Sequence, residues 1–143
     1  MSGTNGGTFD VVILGGGSGG YSAALRSAQL GLSVALIEKN KLGGTCLHIG
    51  CIPTKALLHA AEVADQTRDA AQFGVKAELI GIDMAAVNAY KDGVVSRLYK
   101  GLQGLVKGAG VTLIEGHGKL VGPSTVEVNG QRYTGRNVVL ATG

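Results

Sequence analysis

The chain has 143 residues, 45% of them apolar, with two cysteines, no tryptophan and a net charge of +3 at pH 7. That length holds at most one ordinary domain, and the apolar share is enough for a core. Glycine is abundant, at 25 residues, but follows no collagen period, and the basic residues are scattered, with no basic block or interleaved aromatics to engage nucleic acid. No stretch approaches the roughly 20 apolar residues of a membrane-spanning helix. Residues 1–8 are polar and glycine-rich, without the basic and apolar regions of a secretory signal, and are expected to be a disordered N-terminal segment. These features predict a soluble, cytoplasmic protein with no nucleic-acid or membrane partner.

Residues 9–14 read as a buried strand, because Val11, Val12, Ile13 and Leu14 are continuously apolar. A glycine loop occupies 15–20. A helix is predicted over 22–29, capped by Gly31, and a second buried strand over 33–38. Together these make a βαβ unit of about 30 residues. Another helix is predicted over 52–72, which holds no Gly or Pro after Pro53, a residue suited to a first helical turn. Met84, Val87, Tyr90, Val94, Leu98, Leu102 and Leu105 recur at helical spacing and mark one face of a further helix. Gly93, Gly101 and Gly104 weaken that helix and blur its borders.

From Val111 the period changes. A buried strand is predicted over 111–114. Short antiparallel strands follow over 118–121, 125–128 and 131–133, with Asn129-Gly130 as a hairpin turn. A last buried strand covers 137–141. The fold class is therefore α/β: a Rossmann-like domain with a parallel sheet plus a small antiparallel β-meander, filling 9–143.

Gly15, Gly17 and Gly20 satisfy the spacing G-x-G-x-x-G in the run Gly15-Gly16-Gly17-Ser18-Gly19-Gly20. The first glycine allows a tight turn, the second lets the backbone approach a pyrophosphate, and the third lets helix and strand pack closely. The hexad alone is weak, since a glycine-rich chain can form it by chance. Here it follows a strand, opens a helix and precedes Glu38, an acid 18 residues after Gly20 at the end of the next strand. A carboxylate there is suited to accept hydrogen bonds from ribose hydroxyls.

Cys46 and Cys51 lie just downstream, in Gly43-Gly44-Thr45-Cys46-Leu47-His48-Ile49-Gly50-Cys51-Ile52-Pro53-Thr54-Lys55. Two cysteines in such a chain are ordinarily reduced, buried small hydrophobes. A bond between them is excluded on a regular helix, where five positions rise about 7.5 Å, beyond the roughly 4.4–6.8 Å that a disulfide spans. It would need an irregular turn, which Gly50 can supply. Cys51 is predicted at a helix N-terminus, where the dipole favours a thiolate. So small a loop would add little fold stability, which favours redox chemistry over a staple. Cys46, His48, Cys51 and His59 match no common zinc spacing.

The fingerprint together with Gly43-Gly44-Thr45-Cys46-x4-Cys51-x-Pro53-x-Lys55 resembles the class I pyridine nucleotide-disulfide oxidoreductases, and within them the branch that oxidises protein-bound dihydrolipoamide. The resemblance covers the entire chain. It implies an FAD-dependent oxidoreductase in which Cys46 and Cys51 pair as a redox disulfide. Cys46 would exchange with the dithiol substrate, and Cys51 would face the flavin as the charge-transfer thiolate. Gly15, Gly17, Ser18, Gly20, Glu38, Lys39, Gly44, Thr45, Cys46, Lys55, Gly118, Ala141, Thr142 and Gly143 would contact FAD, with Lys55 near the flavin ring and Gly118 at the adenine end.

The same resemblance implies NAD as electron acceptor, a homodimer, and as partners the lipoyl domains of 2-oxoacid dehydrogenase complexes or of the glycine cleavage system. His48 and Thr54 stand where members often carry Asn and Ser. Members are considerably longer, adding a nicotinamide domain and a dimer-forming domain with a catalytic His. The chain is therefore expected to be the first segment of a discontinuous FAD-binding domain, inactive alone, its strand ending at Ala141 left without a later neighbour. Alternatives are a sibling reductase acting on a small disulfide or mercuric ion, and a non-catalytic FAD-binding module.

Overall fold

The structure, a computed structural model, describes residues 4–143. The chain divides into two units, Met1–Gly44 with Tyr99–Gly143, and Thr45–Leu98.

The first unit carries one six-stranded mixed sheet in the order β3-β2-β1-β6-β5-β4. Its strands are β1 (Thr4–Leu14), β2 (Val34–Glu38), β3 (Thr112–Glu115), β4 (Lys119–Gly122), β5 (Thr125–Val128) and β6 (Gln131–Leu140). β1 runs parallel to both β2 and β6, and β2 is parallel to β3. The β4–β5–β6 arm is antiparallel. This is the α/β, Rossmann-like sheet with an appended meander that the periodicities predict.

Helix α1 (Ser18–Gln29) crosses from β1 to β2. It ends as the sequence predicts. Gly31 takes φ +80°, its N–H donates to the Ala28 carbonyl at 2.9 Å, and the Leu32 N–H donates to Ser27 at 3.1 Å. That six-to-one and five-to-two pairing closes the orphan carbonyls of the last turn. Gly110 ends α4 (Met84–Gly108) in the same manner, with Val111 N–H on the Val106 carbonyl. α4 runs unbroken through Gly93, Gly101 and Gly104.

One face of the sheet buries Val12, Ala35, Ile37, Val126, Val128 and Tyr133 together, flanked by Phe9, Leu14, Ile114 and Val138. The meander thus contributes half of a core whose other half is the parallel strands. Asn129 and Gly130 both have positive φ, 49° and 80°, the geometry of a type I′ hairpin turn.

Several boundaries differ from the sequence reading. β1 begins at Thr4, so residues 4–8 are strand rather than the disordered segment expected there; residues 1–3 lie outside the described residues. Backbone pairing with Gln131, Arg132, Tyr133 and Thr134 of β6 explains the extension, since it needs no apolar side chains. The strands expected over 131–133 and 137–141 are one strand, β6, which pairs with β5 as far as Thr134 and with β1 along its length. Gly135 carries it through the switch, because a side chain there would strike the Asn137 carbonyl and Val12. From Arg136 to Leu140 β6 is paired with β1 alone among the described residues. β3 is not buried: as an outermost strand it exposes Thr112, Leu113 and Glu115.

The second unit contains most of α2 (Gly44–His48), α3 (Cys51–Asp69) and a 3₁₀ turn (Ala70–Phe73), and α4 begins in it. The predicted apolar face of α4 is covered unevenly: Leu102 is buried and Val87 and Val94 half-buried, but Met84, Tyr90, Leu98 and Leu105 are exposed.

Asp10, in the middle of β1, ties that strand to the residue that precedes β2. Its carboxylate accepts the Ser33 N–H at 2.9 Å and the Ser33 hydroxyl at 2.7 Å, and Arg136 lies 3.5 Å away. The Ser33 N–H foremost, then the Ser33 hydroxyl, holds the Asp10 carboxyl below its usual range; partial desolvation opposes this, and the Arg136 charge assists it. A depressed folded-state pKa gives stability that is present above the unfolded value and lost as pH falls through the folded one. Urea unfolding between pH 6 and 3 is expected to show a shallower acid loss of stability in Asp10→Asn than in the wild type. Parallel acid profiles for the two proteins would contradict this.

Candidate functional site

The carboxyl ends of β1 and β2 face the glycine-rich turn that follows β1. Gly15 starts that turn with φ +106°, and its N–H donates to the Ile37 carbonyl at 2.8 Å. A Cβ at Gly15 would overlap the Ala141 carbonyl. One at Gly20 would overlap the Gly15 carbonyl, with the Ala141 methyl 3.5 Å away. Ala141 is itself fixed by its N–H on the Leu14 carbonyl at 2.8 Å. The first and third fingerprint glycines are therefore demanded by the protein's own packing.

Gly17 differs. A Cβ there would meet nothing nearer than the Gly44 Cα, at 4.0 Å, and its φ of −69° suits any residue. The space beside Gly17 is left open by the protein and is of use to a ligand that must lie against the backbone. Gly17 is also the N-cap of α1, which has no side-chain cap and no acid in its first turn. Such a terminus retains its capacity for phosphate. The exposed Ser18 is the first residue of the helix.

Glu38 ends β2. Its Oε2 accepts the Gly16 N–H at 2.6 Å, and its Oε1 accepts the Asn40 N–H at 2.8 Å. A carboxylate offers about four acceptor positions, so each oxygen keeps capacity for a hydroxyl donor. Lys39, next in sequence, is exposed.

The Gly43 N–H donates to the Gly16 carbonyl at 2.8 Å. Gly44, at φ +59°, approaches so closely that a Cβ would lie 2.8 Å from the Gly17 Cα. Leu42 packs over Gly16. Asn40 and Leu42 were not singled out by sequence reasoning, and Gly43 only as part of the cysteine motif. The paired glycines at 43–44 were a visible signal, but their partner, another glycine pair, becomes a neighbour only in the fold. Gly118 sits against Leu14, Ile37 and Val126, and Thr142 and Gly143 are exposed beyond β6. Gly15, Gly17, Gly20, Glu38, Gly44 and Ala141 thus form one linked cluster in the first unit.

Thr45, Cys46, Cys51 and Lys55 belong to the second unit. Cys46 lies on α2, and Cys51 is the first residue of α3. The two are joined in a disulfide with Cα atoms 4.6 Å apart. The helical path breaks between them at Gly50, with φ −121° and ψ −111°. A Cβ at Gly50 would press on the Thr45 carbonyl at 3.0 Å and the Cys46 Cα at 3.4 Å. The irregular turn is thus built by the residue able to make it, and α3 resumes with Thr54 N–H on the Gly50 carbonyl at 3.1 Å. Cys46 is half-buried, and Cys51, Thr45 and Lys55 are exposed. The short helix α2 itself was not foreseen, since a glycine, a threonine and a cysteine are poor helix formers.

The family model described as pyridine nucleotide-disulphide oxidoreductase matches residues 9–143. The chain belongs to that family. Among curated proteins, it is 47% identical over 136 residues to a dihydrolipoyl dehydrogenase of Thermus scotoductus, covering 95% of this chain and 29% of that protein. It is 46% identical to the dihydrolipoyl dehydrogenase of Bacillus subtilis, covering 94% of this chain and 31% of the relative. The same identity and chain coverage hold for the mitochondrial dihydrolipoyl dehydrogenase of Pisum sativum, over 28% of its length. The chain therefore spans less than a third of these relatives.

The crowding around the two kinds of glycine makes opposite demands. Gly20→Ala is expected to destabilise the chain by about 1–3 kcal/mol, the usual cost of overpacking. Gly17→Ala should cost less than Gly20→Ala, at most about 1 kcal/mol, the scale of a poorer N-cap residue with no packed group displaced. Urea unfolding of both variants checks the pair, and equal losses would refute the distinction.

Proposed function

We propose that this chain is the FAD-binding and redox-disulfide portion of a dihydrolipoyl dehydrogenase, which oxidises protein-bound dihydrolipoamide and passes the electrons through Cys46–Cys51 and FAD to NAD. The observation that carries the reading is the Cys46–Cys51 disulfide, made across a glycine break at a helix start in a chain that also bears the linked fingerprint.

The residues of the first unit suit a dinucleotide. The backbone beside Gly17 and the uncapped start of α1 would take the pyrophosphate, with Ser18 at the same helix start. Glu38 would accept the ribose hydroxyls, with Lys39, Gly44, Gly118, Ala141, Thr142 and Gly143 completing the contacts. Thr45 and Lys55 would serve the flavin end. Bound FAD supplies the two-electron acceptor that the side chains lack.

The disulfide chemistry is thiol exchange. One thiolate of the substrate dithiol attacks the Cys46 sulfur, the Cys46–Cys51 bond breaks, and Cys51 leaves as a thiolate. The second substrate thiol, on losing its proton, attacks the substrate sulfur of the mixed disulfide and expels Cys46. The dithiol becomes a cyclic disulfide, and the protein disulfide becomes two thiols, a balanced two-electron transfer. The position of Cys51 at the start of α3 favours its thiolate form. The lipoyl domains of 2-oxoacid dehydrogenase complexes or of the glycine cleavage system would be the protein partners. NAD reduction, the homodimer and full turnover would belong to a longer polypeptide, and the 143 residues alone would be inactive. The expected setting is the cytoplasm; no helix among the described residues is long and apolar enough to cross a membrane.

In the full polypeptide carrying this chain, Cys46→Ser is expected to abolish lipoamide turnover while a thiolate at Cys51 still gives long-wavelength flavin absorbance. Cys51→Ser should lose both turnover and that absorbance. Survival of the absorbance in the Cys51 variant and its loss in the Cys46 variant would reverse the roles. Glu38→Ala is expected to weaken FAD by roughly 1.5–3 kcal/mol, the scale of hydrogen bonds to a charged group. A flavin titration showing unchanged affinity would remove Glu38 from the ribose role.

A further inference from the structure

The hairpin joining β5 to β6 turns on a reactive pair of residues. Val128 pairs with Gln131, so Asn129 and Gly130 alone make the turn. Among the described residues Asn129 is the one non-glycine with positive φ, at 49°, a conformation that asparagine visits more readily than most side chains. Both residues are exposed.

A side-chain amide is open to attack by the next residue's main-chain nitrogen when that nitrogen is uncrowded and can give up its proton. Gly130 meets both conditions. A Cβ on it would meet nothing, and its N–H makes no hydrogen bond among the described residues. With its proton taken by water or hydroxide, the Gly130 nitrogen bonds to Asn129 Cγ. The bond from Cγ to Nδ2 breaks, and ammonia leaves. Water then opens the cyclic imide at one of its two carbonyls, giving aspartate or a β-linked isoaspartate. The sum is the hydrolysis of one amide.

The folded hairpin withholds this reaction. In a type I′ turn the first central residue has ψ of about +30°. The next nitrogen then lies across the Cα–C bond from Cβ, whereas ring closure needs the two on the same side. Asn129 Nδ2 also donates to the Glu115 carbonyl at 3.4 Å, which holds the amide against the turn leaving β3. Both restraints are slight: that bond is long and exposed, and rotation of ψ at Asn129 needs only the hairpin tip to open. We infer that Asn129-Gly130 is a modification site, a deamidation site gated by opening of the β5–β6 hairpin. Either product ends the bond to Glu115, because a carboxylate cannot donate.

The full polypeptide carrying this chain is aged in mildly alkaline buffer, with and without denaturing urea, as wild type, Asn129→Gly and Thr134→Ala. Conversion of amide to acid, and formation of isoaspartate, are followed by mass spectrometry in the tryptic peptide 120–132. The other Asn-Gly pair, Asn5-Gly6 in β1, falls in a different peptide. Wild type should convert at least about tenfold more slowly in buffer than in urea, since only the opened fraction reacts. Asn129→Gly should show no conversion in this peptide. Thr134→Ala removes the cross-strand hydroxyl contact with Thr125 at 3.2 Å. It should speed conversion in buffer by up to about fivefold, the worth of one cross-strand pair, and leave the rate in urea unchanged. Equal wild-type rates in buffer and urea, or a Thr134→Ala rate in buffer equal to that of wild type, would overturn the gate. Absence of conversion at Asn129 even in urea would overturn the site.

Discussion

The Gly16 N–H reaches the Glu38 carboxylate at 2.6 Å, and the carboxyl edge of the parallel sheet is organised around that bond. A glycine-rich turn has many conformations to lose, since each glycine gives up more backbone freedom than any other residue. One hydrogen bond to a charged acceptor would not hold it. The turn is also wedged by Ala141 against Gly15 and Gly20, overlaid by Leu42 and joined to Gly43 through the Gly16 carbonyl. Three separated stretches of chain, from β2, from the segment after it and from the end of β6, thus converge on one turn. The sheet order makes this possible, because β1 lies between β2 and β6.

Glu38 consequently has a structural task of its own beside the ribose role proposed for it. Its two oxygens fix the backbone at Gly16 and at Asn40. A carboxylate already oriented by two backbone donors loses little freedom on binding, which is the general advantage of preorganisation. The cost falls on sequence freedom instead. Gly16 must stay small beneath Leu42, and residue 38 must carry an acceptor of the right reach.

How much of this was legible in the sequence follows from the range of each interaction. The βαβ unit was readable because Val11–Ile13 and Val34–Ile37 are buried on both faces and so are continuously apolar. Gly31 and Asn129-Gly130 were readable because the backbone itself requires them there. The helix start at Cys51 and the bend at Gly50 were readable for the same local reason. Residues 4–8 of β1 and the fusion of two predicted strands into β6 were not, because both depend on backbone pairing between distant segments rather than on side-chain pattern. β3 misled by its apolar run: whether Leu113 is covered depends on which strand lies outermost. Of the site, the fingerprint, Glu38 and the cysteines could be named in advance. The contacts of Gly43 with Gly16 and of Gly44 with Gly17 could not, since glycine carries no side chain by which a tertiary partner could be inferred.

The fingerprint glycines sort by what excludes a side chain at each. At Gly15 and Gly20 the protein does so, and at Gly44 it does so again through Gly17. At Gly17 it does not, although this is the position where a pyrophosphate would lie against the backbone. A glycine kept where the chain's own atoms leave room points outward, to something the chain alone does not contain.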